Sequence, residues 1–422
     1  MKRIIVGVLI LGGLFLWSAG NGLLHELPFF NAQHGKAFAQ LIQNESKTEF
    51  ENVLILQERQ PMYMRETTLV KIGELQAGQP VAIMGEDEDY YELRLGKMSA
   101  YVRKGQANVE KRKLQTVKNI ERLGAVKTNR QTIVYEKADL QSDILIQLED
   151  GFRYPVVQEQ GDWYIIKIGE RPGYIHKQSV EFDEGLPVLV YHQVLPRDLM
   201  TTELSTVSLE SFERQMNYLA EHHFTALTSR ELYDYLEGRL VVPDEAIVIT
   251  FDDGLLSSKE YAYPVLKQYG FTALHHIISS RLDRGHHAPT FAGGELLKYV
   301  NADDLIEMKD VFKFEAHTDD LHQLNSDRQG LALHRMKEEI VADLQNNLKL
   351  VPGSISLAYP YGQYNEEFVA AAKEVGLLIG FTTTEGYANM DKSNYEVNRF
   401  GITEKRSFED FAAYVDGNMT WP

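Results

Sequence analysis

Hydrophobic and polar positions divide the chain into stretches of different period. An unbroken apolar run from Ile4 to Trp17 follows Lys2 and Arg3, the layout of a charged n-region and an h-region that addresses a chain for export. The run is shorter than the roughly 20 residues that span a bilayer unaided. Ala19, Gly20, Gly22, Leu23 and Leu24 extend it, so cleavage near Ser18 to Gly20 and retention as an anchor are both open. Residues 1–30 are read as a signal peptide or N-terminal membrane anchor, and residues 31–51, polar and weakly patterned, as a stalk. The protein is expected outside the cytoplasm, either secreted or anchored on the outer face of the membrane or in the cell wall.

From residue 52 to 183 the period is two. Short alternating runs (VAIMG, YYELRLG; RYPVVQ, WYIIKIG) are separated by Gly and acidic turns, which predicts small antiparallel β-barrels, one per copy, rather than helices. An internal repeat runs through them at a constant offset of 73 positions: Leu75 matches Leu148, Gly78 matches Gly151, Tyr90-Tyr91 matches Trp163-Tyr164, Gly96 matches Gly169, and Ala100-Tyr101-Val102 matches Gly173-Tyr174-Ile175. Two β-domains are expected, at 52–112 and 113–183.

Residues 184–422 change pattern again. Buried strands (Pro187 to Val194, Ala246 to Phe251, Phe271 to Ser279, Phe312 to Ala316, Ser354 to Tyr359, Leu378 to Thr383) alternate with amphipathic helices, which predicts a parallel α/β architecture. One helix is capped by Ser208 and carries Phe212, Met216 and Leu219 on a face. A long one is striped by Met336, Ile340, Leu344 and Leu348 and ended by Pro352-Gly353, and a third runs from Glu366 to a stop at Gly376. About seven β/α units suggest a barrel.

Composition narrows the chemistry. With 422 residues the chain exceeds one ordinary domain, and 44% apolar with 25% charged residues is globular usage. A formal charge of −18 argues against nucleic acid as a partner. There is no cysteine, so disulfides and thiolate metal sites are excluded and any metal must be held by His and carboxylates.

Asp252-Asp253-Gly254 follows the buried strand AIVITF, placing adjacent carboxylates at the C-terminal end of a parallel strand, where such folds keep their active sites. His317 and His322, in FEAHTDDLH, end another predicted strand at the same mouth. Five residues apart, they would point about 140° apart on a helix, so converging on one metal requires a loop. Two neutral imidazoles and a carboxylate, with open positions for water and substrate, suit a catalytic divalent metal. In Ala358-Tyr359-Pro360-Tyr361-Gly362, a third strand end, Pro360 fixes the backbone so that the Tyr361 N–H can face a developing oxyanion. The doublets His222-His223, His275-His276 and His286-His287 show that histidine is common in this chain.

The repeat resembles bacterial SH3 domains, over Val53 to Glu110 and Ala125 to Glu181, in its order of hydrophobic strand, Gly turn, paired aromatics and closing Gly-Tyr-Ile. Such modules bind a cell-wall ligand or space a catalytic domain from the surface; Trp163 and Tyr164 are either core residues of a small barrel or the place where an aromatic, Trp163 foremost, stacks on a ligand. Over Leu186 to Phe411 the motifs together resemble the polysaccharide deacetylase family, whose distorted β/α barrel is the expected fold of the catalytic domain. The resemblance implies that Asp252 is the general base and that Asp253, His317 and His322 ligate a divalent metal, Zn foremost with Co, Ni or Fe as alternatives. It further implies that Tyr361 supplies an oxyanion N–H and that Tyr359 and Pro360 line the substrate.

Position 358 is Ala where many members carry Arg, and no Leu-x-x-His motif lies near the C-terminus. The Ala-Tyr-Pro-Tyr-Gly turn and the His pair spaced by five are similar to exported deacetylases of poly-β-1,6-N-acetylglucosamine, whose Tyr-His after the first strand matches Tyr191-His192 and makes His192 the implied general acid. Arg399 is the candidate to replace the missing Arg beside the base. The expected activity is release of acetate from a cell-surface N-acetylglucosamine polymer. Two alternatives stay open: a peptidoglycan or chitin-oligosaccharide deacetylase, and a catalytically degenerate wall-binding scaffold.

Overall fold

The computed structural model describes residues 50–419 apart from positions 66, 106, 115, 118–120, 122 and 283–296. The export segment, the stalk and His286-His287 lie outside the described residues. Eight strands carry the period-two region: β1 (Gln60–Arg65), β2 (Leu69–Leu75), β3 (Tyr90–Leu95) and β4 (Met98–Arg103) from the first copy, then β5 (Thr132–Tyr135), β6 (Ile144–Leu148), β7 (Trp163–Ile168) and β8 (Arg171–His176) from the second. Alternate residues point inward, as Met98, Ala100 and Val102 do on β4, so each strand buries one face.

The copies do not close separately. Their strands pair antiparallel in the order β7-β8-β5-β6-β2-β1-β4-β3, and β3 pairs back onto β7, giving one eight-stranded barrel. Both seams join equivalent positions: Glu74 faces Gln147 between β2 and β6, and Leu95 faces Ile168 between β3 and β7. The seam bonds are exchanged reciprocally, Gly96 N–H to Lys167 C=O at 2.7 Å and Gly169 N–H to Arg94 C=O at 2.6 Å. The repeat is thus an internal pseudo-two-fold, and its side chains share one core that includes Leu75, Leu95, Leu148 and Ile168. The expectation of two separate barrels is corrected on this point. A four-stranded unit leaves two edges with unpaired N–H and C=O groups, and pairing copy to copy satisfies them. Each copy also carries a small sheet, Phe50–Leu56 with Pro80–Ala82 and Ala107–Lys113 in the first, and Gly124–Thr128 with Phe152–Val156 and Glu181–Phe182 in the second, where Val242–Pro243 of the α/β region adds a fourth strand beside Phe152–Val156.

The rest is α/β. Strands β9 (Val188–Tyr191), β10 (Ala246–Phe251), β11 (Ala273–Ile277), β12 (Phe312–Ala316), β13 (Ser356–Ala358), β14 (Ile379–Phe381) and β15 (Phe400–Gly401) form a curled sheet in the order β14-β13-β12-β11-β10-β9-β15. Every pairing along it is parallel. Bonds from the segment before β15 reach across to β14, Thr382 N–H to Val397 C=O at 2.9 Å and Arg399 N–H to Thr384 C=O at 3.0 Å. Helices α1 (Leu209–Glu221), α2 (Ser229–Leu236), α3 (Tyr263–Tyr269), α4 (Ala302–Met308), α5 (Lys337–Leu350), α6 (Glu366–Glu374) and α7 (Phe408–Val415) accompany the strands. Ser208 caps α1 by accepting the Ser211 N–H, and Phe212, Met216 and Leu219 are buried as the periodicity predicts. On α5 the stripe differs from expectation: Met336 is the exposed N-cap residue, and the buried set is Ile340, Val341, Leu344 and Asn347. Because the strands are parallel, the loops that begin at Asp252, His317 and Tyr359 all leave C-terminal strand ends on the same side of the sheet.

The β region is fixed to the α/β region by buried Arg153. Its guanidinium pairs with Asp183 and donates to the carbonyls of Gly185 and Asp244, while Asp183 also accepts from the Tyr235 hydroxyl at 2.7 Å.

Candidate metal centre and active site

Three loops leave the strand ends, and each contains a non-glycine residue in the left-handed region: Asp253 after β10 (φ 77°), Thr318 after β12 (φ 67°) and Tyr361 after β13 (φ 58°). Such conformations cost of order 1–3 kcal/mol each and cluster where function over-determines the backbone.

At Asp253 the reversal separates two adjacent carboxylates. Asp253 Oδ1 lies 3.3 Å from His317 Nε2 and 3.4 Å from His322 Nε2, and one ligand atom from each of the three side chains falls within 4.8 Å of the others. His317 Nδ1 is 2.6 Å from the Ala358 carbonyl. A carbonyl can only accept, so Nδ1 donates its proton there and Nε2 is the nitrogen turned toward Asp253. Burial opposes ionisation of Asp253, but its bond to His317 and the nearby imidazoles hold the carboxyl well below its usual range. Burial and the neighbouring His317 push the His322 imidazole down to about 3. An ionised carboxylate, the neutral His322 and the His317 Nε2 converge on one point, and a divalent cation takes carboxylate and neutral imidazole donors, so these residues fit such an ion.

Asp252 turns the other way, into the sheet. Arg399, fully buried, grips it with both terminal nitrogens, Nη1 to Oδ1 at 2.9 Å and Nη2 to Oδ2 at 2.7 Å, and also donates to Thr250 Oγ1 and the Thr382 carbonyl. His276 completes the cage: Nδ1 is 3.1 Å from Asp252 Oδ1 and Nε2 is 3.2 Å from Ser356 Oγ. Burial keeps His276 neutral by lowering its pKa, so its Nδ1–H donates to the carboxylate and its Nε2 accepts from Ser356. Burial would raise the Asp252 pKa, but the Arg399 charge and the bonds from His276 and Arg399 hold it well below the carboxylate range. Asp252 is therefore a fixed, ionised carboxylate beside the triad.

Tyr361 is the exposed residue of its turn; its ring lies 4.5 Å from that of His322 and its hydroxyl donates to the His322 carbonyl at 3.4 Å. His192 directly follows β9 and lies near the Asp253 carboxyl. Tyr359 and Pro360 do not line the mouth, which corrects the expectation of substrate contact. Tyr359 is 1% exposed, stacked on Tyr364 and bonded to the Tyr395 carbonyl, and Pro360 is buried beside it. Their part is to set the turn. Trp163 lies in the β region, edge-on to Tyr135 and His176. Sequence reasoning passed over His276 and Ser356, although the period of two on β11 sends one of His275-His276 to each face.

Fold and site together describe a hydrolase with a two-histidine, one-carboxylate centre suited to a divalent metal. A sequence profile of the polysaccharide deacetylase family matches residues 240–380. The chain is 29% identical over 233 residues to YxkH of Bacillus subtilis, which carries a polysaccharide-deacetylase name, covering 55% of this chain and 76% of that one. It is 30% identical over 223 residues to the poly-beta-1,6-N-acetyl-D-glucosamine N-deacetylase of Staphylococcus aureus, covering 50% of this chain and 72% of the relative. Among solved structures it is similar to IcaB from Ammonifex degensii, with a TM-score of 0.46 and 24% identity over 56% of this chain and 98% of the other. The chain belongs to the polysaccharide deacetylase family.

Proposed function

We propose that the protein removes N-acetyl groups from a cell-surface N-acetylglucosamine polymer, poly-β-1,6-N-acetylglucosamine, in a distorted β/α barrel of the deacetylase type. The observation that carries the reading is the Asp253, His317 and His322 cluster set directly beside the Arg399-held Asp252. The 30% identity to the Staphylococcus aureus enzyme named for that polymer supports the choice of substrate.

Asp253, His317 and His322 would hold a divalent ion, zinc in this reading, which would supply Lewis acidity and lower the pKa of bound water. Asp252 takes the proton of the attacking water as its oxygen bonds to the acetamide carbonyl carbon. The Tyr361 N–H donates to the oxyanion as the carbonyl π-bond opens. The C–N bond then breaks, His192 gives a proton to the departing nitrogen, and acetate and a glucosamine amine result. Outside the membrane, held by its N-terminal segment, the protein would use its SH3-like β region as a spacer or a tether to a cell-wall ligand.

The test is acetate release by the full chain on poly-β-1,6-N-acetylglucosamine and on peptidoglycan, with chelation and metal add-back. Metal-restored release from the exopolysaccharide is expected, and Asp252→Asn should lower it by about 10²- to 10⁴-fold with metal content unchanged. Release from peptidoglycan alone would replace the substrate assignment. Wild-type turnover by Asp252→Asn would remove Asp252 from the base role.

A further inference from the structure

Two histidines five residues apart meet at one point only if the loop between them is held in a conformation it would not adopt alone. Thr318, the first residue of that loop, is β-branched, fully buried and at φ 67°, a combination rare enough to need outside support. Residues 279–281 supply part of the support, with the Ser279 and Ser280 N–H groups donating to the Thr318 and Asp319 carbonyls at 3.3 Å and Arg281 donating to the His322 carbonyl at 2.6 Å, and the rest comes from one helix. Asp343 Oδ1 accepts the Asp319 N–H at 2.8 Å, and Oδ2 accepts the N–H groups of Asp320 at 2.8 Å and Leu321 at 3.2 Å. Three successive N–H groups closing on one carboxylate form a nest. One turn further along α5, Asn347 Nδ2 lies 2.6 Å from the Thr318 carbonyl, 2.8 Å from the Ile277 carbonyl and 3.1 Å from Ser279 Oγ. The spacing of four puts both side chains on one helix face.

Resting on the metal-centre reading above, we propose that Asp343 and Asn347 are positioning residues for that centre: they lock the loop from His317 to His322 and so set its affinity for a divalent cation without touching the ion. Docking of α5 does not require them, because Ile340, Val341 and Leu344 already bury its apolar face. A fully buried Asn is costly in such a stripe unless bonded, and the Asn347 amide spends its hydrogens on the ends of two strands that flank the mouth. Ser279 tightens the same loop by donating to Asp319 Oδ1 at 2.6 Å.

The experiment uses the full chain, with zinc affinity measured by competition against a chromophoric chelator and with thermal unfolding of the metal-free proteins recorded alongside. Asp343→Asn keeps the shape and removes an acceptor; Asn347→Leu suits the apolar stripe and removes the donors, so one variant remains informative if the other fails to fold. Each should bind zinc about 10- to 100-fold more weakly, the range for residues that orient metal ligands, while the metal-free melting temperature stays within a few degrees of wild type. Unchanged affinity in both variants, or a loss that tracks unfolding of the metal-free protein, overturns the positioning role. No zinc binding by the wild-type chain is a different result: it overturns the metal-centre reading and takes the positioning role with it.

Discussion

In the β-barrel the left-handed positions fall mostly on glycines, and four of them come in pairs, Gly78 and Gly151 at φ 76° and 75° and Gly96 and Gly169 at 60° and 48°, while Gly161 and the non-glycine Glu170 stand outside the pairing. In the α/β region the strand-end loops put Asp253, Thr318 and Tyr361 in the same conformation. A glycine takes it at no steric cost, so the barrel turns are made without strain and can be repeated. At the mouth a side chain or a particular N–H is required at the strained position itself, and the surrounding bonds must hold it there. One region is therefore built for repetition and the other for a single chemical arrangement.

The sharpest way to break this contrast is through two buried arginines. Arg399→Met leaves the buried Asp252 uncompensated, and Arg153→Met does the same to Asp183 at the junction. Removing one partner of a buried pair costs about 3–5 kcal/mol, and urea unfolding should show losses of that size for both. Turnover per folded molecule separates them. It should collapse for Arg399→Met and stay near wild type for Arg153→Met, whose partners touch no residue of the mouth. Wild-type turnover by Arg399→Met would mean that Asp252 needs no fixed orientation, and the contrast would fail.

A smaller effect tests the barrel half. A Cβ on Gly169 would lie 2.7 Å from Val81 Cβ and 3.0 Å from the Ala82 nitrogen, whereas one on Gly151 meets nothing within 4 Å. Gly151→Ala should cost about 1 kcal/mol from backbone conformation alone, and Gly169→Ala about 1–3 kcal/mol more from overpacking. Equal shifts in the urea midpoint would show that the two copies are not packed as the pseudo-two-fold requires.

Legibility in the sequence followed the range of the interaction. The repeat was visible because spacing is local information. The shared barrel was not, because pairing of β2 with β6 and β3 with β7 depends on edges that a single copy does not reveal. The metal triad was readable from motifs at strand ends, but the full cage around Asp252 was not: Arg399 lies far along the chain beside a two-residue strand, where only a vacant Arg position pointed to it. Asn347 had a signal that was missed, a polar residue at core spacing from Ile340 and Leu344, while Met336 was counted into the stripe although it caps the helix in solvent. Helices α2, α4 and α7 are short, and their capping boxes at Thr228, Asn301 and Ser407 were the overlooked marks.

The smallest effect concerns the neighbour of His276. His275 points to the opposite side of β11, into the aromatic layer of Phe251, Phe312 and Phe314, and neither ring nitrogen has a hydrogen-bond partner among the described residues. Burial pushes its imidazole down to about 3, below the value of about 6.5 expected in an unfolded chain. Below pH 6.5 the unfolded chain therefore binds a proton that the native state refuses, and stability falls as pH drops from about 6.5 toward 3, by at most about 1.4 kcal/mol per pH unit from this group. His275→Leu should gain about 1–3 kcal/mol at pH 7 by removing unpaired polar atoms, with a larger gain at pH 5, read from urea midpoints at both values. Identical pH dependence in variant and wild type would show that the ring is satisfied after all. The expected result would separate the doublet by side of the sheet: His276 is neutral because burial outweighs the pull of Asp252, and both of its nitrogens are bonded, to Asp252 and Ser356, whereas His275 is neutral because protonating it would place an unpaired charge among aromatic rings.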